Sequence, residues 1–224
     1  MTIPEWCKAI ETELETERTH NSFIMAIYDG QHLVPIKWIL FIKTDETYKA
    51  RLVGRGDLML PWINLNPREI YCGNIPACGI KLVLTIAASY KLRMRGGNLV
   101  GAYLVTGANK DYPVFIKTPE GIEVPPGMCI QAVSNSNGFP SAGQNFSIEF
   151  DKCVKKMGYN STPWDLKLFF KWVNEKPILV IAHSDDFRWF GSEDVLYEWE
   201  ALVNNYNAHN GLYRQRICRH QYYS

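Results

Sequence analysis

Short polar breaks between alternating or largely apolar segments predict two β-hairpins in the chain. Residues 33–43 and 47–54 alternate on either side of a short polar segment, which is typical of antiparallel strands joined by a tight turn. Residues 165–173 and 176–184 flank Asn174-Glu175 in the same way. The last of these strands contains the apolar run ILVIA, which predicts that it is buried.

Apolar residues at helical spacing predict four helices. The first spans about residues 2–19, begins with a capping signal, and needs a partner surface for the face formed by Trp6, Ala9, Ile10 and Leu14. The other helices are expected at residues 79–92, at residues 144–158 and from Ser192 onward. Gly158 is a common signal for the C-terminal end of a helix.

The order of these elements favours an α+β fold. Shorter apolar runs predict further strands at residues 98–105 and 112–121. Helices would back an antiparallel sheet in such a chain. The adjacent residues Asp185 and Asp186 follow the buried run, so we expect both carboxylates at the tip or turn of the hairpin 166–184.

Composition excludes several classes of protein. With 224 residues, of which 46% are apolar, the chain is long enough for one domain with a hydrophobic core. Its net charge of +1 argues against a protein built mainly to bind a phosphate backbone. No apolar run approaches the roughly 20 residues that a membrane span needs, so we expect none.

The cysteines and the N-terminus indicate the compartment only coarsely. The six cysteines form no CxxC pair and no tight metal-binding spacing, which favours reduced thiols. Since the N-terminus resembles neither a signal peptide nor a transit segment, we expect an intracellular, reducing location, with no organelle indicated.

Seven segments, in order along the chain, resemble the reverse transcriptase domain of copia-type retrotransposons. They are PEWCKAIETEL (4–14), KWILFIK with YKARLVGRG (48–56), IKLVLTIAASYKLRM (80–94), NLVGAYLVTG (98–107), PVFIKTPEG (113–121), SNGFPSAGQNF (136–146) and HSDD (183–186). The resemblance implies a single reverse transcriptase-like domain. Its N-terminal helix and fingers would cover about residues 1–78, a palm with an antiparallel sheet backed by helices residues 79–208, and a basic tail residues 209–224.

The resemblance also implies a remnant of a catalytic site. In this family the palm presents three aspartates to two divalent cations, which activate the primer hydroxyl and stabilise the leaving pyrophosphate. Asp185 and Asp186 match two of these aspartates, whereas Asn98 stands where the first is expected. An amide is a neutral ligand, so we expect metal binding to be weak or lost. No cofactor is expected, except Mg²⁺ or Mn²⁺ if the chain is active.

The nucleotide-binding stretch departs from the family pattern as well. Asn137, Pro140 and Ser141 replace the usual Tyr, Lys and Gln, while Gly138 and Gly143 keep the pattern. Changes in separate catalytic elements, alongside intact core-forming segments, predict a fold retained without its chemistry.

Basic residues supply the other candidate site. By resemblance, Lys49 and Arg51 contact a triphosphate or a template, and Arg55 continues the same alternating series. Any solvated hairpin can show this pattern, so both interpretations stay open. Near the aspartates, Arg188, Arg93 or Arg95 is expected to form an ion pair that replaces the cations, the alternative being that both carboxylates face water.

Together these features predict a retrotransposon-derived pseudoenzyme that acts as a scaffold or protein-binding subunit of a larger assembly. One alternative is an active RNA-directed DNA polymerase with an atypical two-metal site, and another is an inactive nucleic-acid-binding module. The scaffold hypothesis expects Trp62, Trp164 or Trp189 to contact a protein partner, because Trp is a frequent interface anchor.

Overall fold

The computed structural model describes residues 4–70, 72–98, 102–119, 122–163, 167–183 and 186–209. Along these residues the chain forms, in order, α1 (Pro4–Thr19), β1 (Phe23–Ile27), β2 (Leu33–Ile42), β3 (Tyr48–Gly54), α2 (Ala77–Ser89), β4 (Arg93–Asn98), β5 (Val114–Lys117), β6 (Met128–Ala132), α3 (Ala142–Lys156), β7 (Asn160–Ser161), β8 (Leu168–Val173), β9 (Lys176–His183), β10 (Asp186–Gly191) and α4 (Leu196–His209). The fold is α+β, as predicted.

The chain divides into two compact units. The first unit comprises Met1–Tyr71 and Tyr103–Asn145, and the second comprises Cys72–Ala102 and Phe146–Ser224. Residues 103–145 thus belong to the first unit. The division into fingers and palm stays a prediction.

A five-stranded sheet forms the core of the first unit. Its order is β1-β6-β5-β2-β3, and all neighbours are antiparallel except β2 and β5. The register of β2 with β3 confirms the predicted hairpin, with Trp38 opposite Leu52. Buried apolar side chains fill the core, among them Val34, Val114, Ile116 and Ile130.

Helix α1 packs against the edge strand β3 through the predicted face, which also carries two carboxylates that were not predicted to be buried. Its buried residues are Ala9, Glu13 and Glu17, and the predicted residues Trp6, Ile10 and Leu14 are half-buried. The ring centroid of Trp6 lies 4.6 Å from that of Tyr48. Glu13 is favoured here because it accepts a hydrogen bond from a backbone N–H at the edge of the sheet.

The second unit contains an antiparallel sheet with helices on both faces. The strand order is β4-β10-β9-β8-β7. On one face Phe190 and Leu179 pack with Val83 of α2. On the other face, to which the alternate residues of β10 point, Phe187 contacts Phe150 of α3 and Trp199 of α4. The predicted antiparallel sheet backed by helices is therefore present.

The strand predicted at residues 98–105 lies earlier in the chain, as β4. The described residues 102–105 form turns instead. Gly96 and Gly97 looked like a break in the sequence, yet the strand runs through them. A Cβ atom at position 97 would lie 2.6 Å from the ring of Phe187, so this strand needs glycine where side chains of the neighbouring strand pack over it.

Candidate functional site

The ends of three strands bring two of the predicted catalytic positions together. Asp186 begins β10 and is the register partner of both His183 in β9 and Asn98 in β4. Asp185 lies outside the described residues. Asn98 and Asp186, both candidates by resemblance, are therefore neighbours in the sheet although they are far apart in the sequence. Their role as a remnant catalytic site stays a prediction.

The position of Asp186 within the sheet differs from the prediction. The hairpin formed by β8 and β9 turns at Asn174-Glu175, at the opposite end of β9. Asp186 instead begins a further strand, β10, which pairs with β9 and was not predicted. The prediction failed because the sequence after the aspartates, FRWFG, is short and lacks alternation.

Strand β9, which ends beside Asp186, is held in place because it is buried. β9 lies between β10 and β8, and Ile178 and Val180 are fully buried within it. A strand packed on both faces holds the residues at its end in one place, which suits a group that must be positioned accurately.

An arginine accompanies Asp186 on the same strand. Arg188 Nη1 lies 3.7 Å from Asp186 Oδ1, so the predicted ion pair is confirmed for Arg188 and Asp186. Arg93 does not take this role, because it pairs with Glu193 at 3.6 Å, and Arg95 donates to the carbonyl of Met94 at 3.4 Å. Asp186 is about half exposed, so the pair contributes up to about 1 kcal/mol to stability.

A glycine leaves space for this arginine. Gly96 is the register partner of Arg188 in the neighbouring strand. A Cβ atom on Gly96 would lie 3.3 Å from Arg188 Nη1, closer than most side chains tolerate. The guanidinium therefore lies close against the backbone of β4.

Carboxylates within the chain pair with two of the three candidate basic residues of β3 and its continuation. Lys49 Nζ lies 3.3 Å from Glu13 Oε2. Arg55 donates to both carboxylate oxygens of Asp57, at 2.8 and 2.7 Å, and these hydrogen bonds hold the pKa of Asp57 below its usual value. Arg51 is exposed and has no carboxylate partner among the described residues.

Glu13, which the sequence analysis missed, organises this strand. It is buried, and besides Lys49 it accepts a hydrogen bond from the backbone N–H of Leu52 at 3.2 Å. Because β3 is an edge strand, this N–H would otherwise have no partner in the sheet.

Gly138 has a structural reason to be glycine. Its φ of +85° favours glycine, and a Cβ atom there would lie 2.3 Å from the carbonyl oxygen of Gly54. Gly56 approaches the same loop as closely, since its Cβ would lie 2.2 Å from the carbonyl oxygen of Gly138. Gly54 N–H donates to the carbonyl of Asn137 at 2.8 Å. The stretch that resembles the nucleotide-binding motif of the family is thus packed against the end of β3 through glycine backbones.

The rest of this stretch belongs to the start of α3. Gly143 lies in the first turn of the helix. Ser141, which replaces the Gln usual in the family, donates through its hydroxyl to Asn135 Oδ1 at 3.1 Å. Asn135 is fully buried and donates to Thr106 Oγ1 at 3.0 Å. Ser141 therefore stabilises the loop.

Comparison with known protein families gives one finding over most of the chain. The family model described as reverse transcriptase (RNA-dependent DNA polymerase) matches residues 23–199, which run from β1 into α4. Comparison with curated proteins gives no match. Among the described residues, no helix is long and apolar enough to cross a membrane.

Proposed function

Since the chain belongs to the reverse transcriptase (RNA-dependent DNA polymerase) family, as its resemblance to the copia-type domain predicted, we propose that it retains this fold without polymerase activity and acts as a protein-binding subunit of a larger assembly. In this proposal the first unit takes the place of the fingers and the second that of the palm, so that residues 103–145 would belong to the fingers. The observation that carries the proposal is the ion pair between Arg188 and Asp186 beside Asn98.

The charges around Asp186 are the physical reason to propose that polymerase activity is lost. A two-metal site needs a concentration of carboxylates, because hard divalent cations bind oxygen ligands that carry negative charge. By resemblance, this site has Asn98 in place of one carboxylate, and the guanidinium of Arg188 lies against a second. A fixed cation beside Asp186 opposes metal binding by repulsion and by occupying the carboxylate. These residues fit a pair of divalent cations poorly.

The basic strand supports the same conclusion. Lys49 would have to leave Glu13, and Arg55 would have to leave Asp57, before either could bind a phosphate. Only Arg51, of the three, is already available to an anionic ligand among the described contacts. Of these three candidates, therefore, Arg51 alone would meet a triphosphate without first leaving a carboxylate among the described residues.

Exposed apolar side chains support the protein-binding part of the proposal. Trp62 is 56% exposed and its neighbour Ile63 is 57% exposed. Trp is among the residues that most often anchor protein interfaces. Of the other predicted anchors, Trp189 is fully buried in the second unit, so it cannot contact a partner, and Trp164 lies outside the described residues.

Primer extension on a short RNA/DNA hybrid, with Mg²⁺ or Mn²⁺, tests the loss of activity. We expect no extension by the natural chain. Asn98→Asp combined with Arg188→Leu would restore the carboxylate and remove the competing cation, and any activity gained by it should disappear when Asp185→Ala is added. Extension by the natural chain that Asp185→Ala abolishes would overturn the proposal and indicate a working polymerase.

A further inference from the structure

The two edge strands of the sheet in the first unit, β3 and β1, differ in whether their outer backbone groups are covered. At one edge, α1 packs on β3, and Glu13 accepts a hydrogen bond from the backbone of Leu52. Charged side chains of β3, Lys49 and Arg51, add to this protection, since charge on an edge strand discourages further pairing. At the other edge, β1 pairs with β6 on one side only.

The hydrogen bonds of β1 show which of its backbone groups are free. Tyr28 N–H donates to Gly127, and Val133 N–H donates to the carbonyl of Ser22. In an antiparallel ladder such bonds recur at every second residue. Residues 22, 24, 26 and 28 therefore face β6, and Phe23, Met25 and Ile27 direct their N–H and C=O groups away from the sheet.

The free edge is apolar and uncharged. Its sequence is FIMAI, without proline or charge, and its exposed side chains are Ile24 (48%), Met25 (50%) and Ile27 (73%). The carbonyl of Ile27 is already engaged, because it accepts a hydrogen bond from Gln31 Nε2 at 3.1 Å. The backbone groups of Phe23 and Met25 have no hydrogen-bond partner among the described residues.

We propose that β1 pairs with β1 of a second copy of this chain, so that two first units share a continuous antiparallel sheet. A strand related to itself by a two-fold axis is self-complementary, which makes a second copy a partner of matching chemistry. Residues 21–28 contain no Asp, Glu, Lys or Arg, so the pairing brings no like charges together.

Gln31 determines the register of this pairing. Because it occupies the carbonyl of Ile27, the free groups that remain are those of Phe23 and Met25. The free backbone groups of both residues form hydrogen bonds when the two-fold axis passes beside Ile24. Phe23 of each copy then exchanges two hydrogen bonds with Met25 of the other, and the two Ile24 residues face each other as a non-hydrogen-bonded pair.

A cavity beside β1 gives the pairing a second contribution. It has a volume of about 500 Å³ and is lined by Phe23 and Met25 together with apolar residues such as Ile36, Ile116 and Ile130. Three charged residues, Glu17, Arg18 and Glu123, also line it, and they carry both signs of charge. In a sheet continued across a perpendicular two-fold axis, Met25 of the second copy lies next to Phe23 on the same face. The dimer therefore buries apolar surface at the rim of this cavity, which favours association.

Sedimentation velocity of the full chain over a range of concentrations tests the dimer. We expect the natural chain to form dimers and Ile24→Lys to be monomeric, because two lysines would face each other at the axis. Ile42→Lys is the matched control: Ile42 is 54% exposed but lies on β2, away from this edge, so this variant should remain dimeric. A monomeric natural chain, or an Ile24→Lys variant that still forms dimers, would overturn the proposal.

Disulfide formation tests the register independently of any effect on folding. In a background with Ser at Cys7, Cys78 and Cys218, Ile24→Cys should cross-link two copies under mild oxidation. Non-hydrogen-bonded pairs have Cα atoms about 4.5 Å apart, which a disulfide can span. Ile27→Cys is more exposed but far from its counterpart, so it should not cross-link. Equal cross-linking of the two variants would contradict the proposed pairing.

Discussion

Replacing Glu17 with glutamine should remove most of a strong pH dependence of stability. Glu17 is 3% exposed, and neither of its carboxylate oxygens has a hydrogen bond of normal geometry among the described residues. Burial raises its pKa from 4.5 to about 7; the Ser22 hydroxyl opposes the rise, and the Glu13 carboxylate adds to it. The folded protein therefore binds the proton more tightly than the unfolded chain does.

The size of the effect follows from the two pKa values. Below pH 4.5 the carboxyl is protonated in both states, so the folded state carries no penalty. Between pH 4.5 and about 7 only the unfolded chain ionises, and the free energy of unfolding falls by about 1.4 kcal/mol per pH unit. The loss is complete above pH 7 and is on the order of 3 kcal/mol.

Urea unfolding followed by circular dichroism at pH 5, 6, 7 and 8 measures this effect. Glu17→Gln should gain stability relative to the natural chain as the pH rises, by about 2–3 kcal/mol between pH 5 and pH 8. Glu11→Gln, an exposed position on the same helix, is the control and should follow the natural chain at every pH. If the difference between Glu17→Gln and the natural chain is the same at all four values, the explanation from burial is wrong.

Three further changes test the edge strand, the glycine contact and the remnant site. Glu13→Leu should lower the free energy of unfolding by about 2–3 kcal/mol in urea, because Leu52 N–H loses its acceptor; a loss below about 0.5 kcal/mol would contradict this role. Gly138→Ala should lower the free energy of unfolding by at least about 2 kcal/mol, because its backbone conformation and its contact with Gly54 both require glycine. Gly143→Ala in α3 is the control, and its free energy of unfolding should stay within about 1 kcal/mol of that of the natural chain. Thermal unfolding measures both variants. Asn98→Asp with Arg188→Leu should bind Mn²⁺ at least about ten-fold more tightly than the natural chain, as measured by electron paramagnetic resonance, and unchanged affinity would argue against charge as the cause.

The two hairpins could be predicted because the residues that specify each strand and its turn are close together in the sequence. In β2 and β3 the alternation of side chains indicates which face is buried, and Asn174-Glu175 supplies a turn between two largely apolar segments. The sequence of β1 shows no such alternation. As an edge strand it exposes successive residues, Ile24 and Met25, so its sequence has no alternation to detect.

Which side chains of α1 are buried depends on strand β3, which is distant from the helix in the sequence. The apolar spacing of Ile10 and Leu14 predicted the face of the helix, but the buried positions include Glu13 and Glu17. Only the position of Leu52, on an edge strand, explains why a carboxylate is favoured there. A pattern within one helix cannot contain that information.

The site was predicted through resemblance rather than through pattern. The proximity of Asn98 and Asp186 is a property of the antiparallel register of β4 and β10, and β10 had no recognisable signal of its own. The pairing of Arg188 with Asp186 was expected because adjacent carboxylates without cations need a counter-charge. The pairing of Lys49 with Glu13 was not expected, because it joins a strand to a helix that is distant in the sequence.

The position of Glu13 also matters for anyone who wishes to produce this protein in part. The family match begins at residue 23, after the end of α1. A chain cut at that boundary would keep every strand of both sheets but lose the carboxylate that binds Leu52 N–H and Lys49. Its β3 edge would then be open to other chains, with aggregation as the expected result. We therefore expect a well-behaved fragment to include α1, because a hydrogen bond from outside the matched residues protects the edge of the sheet.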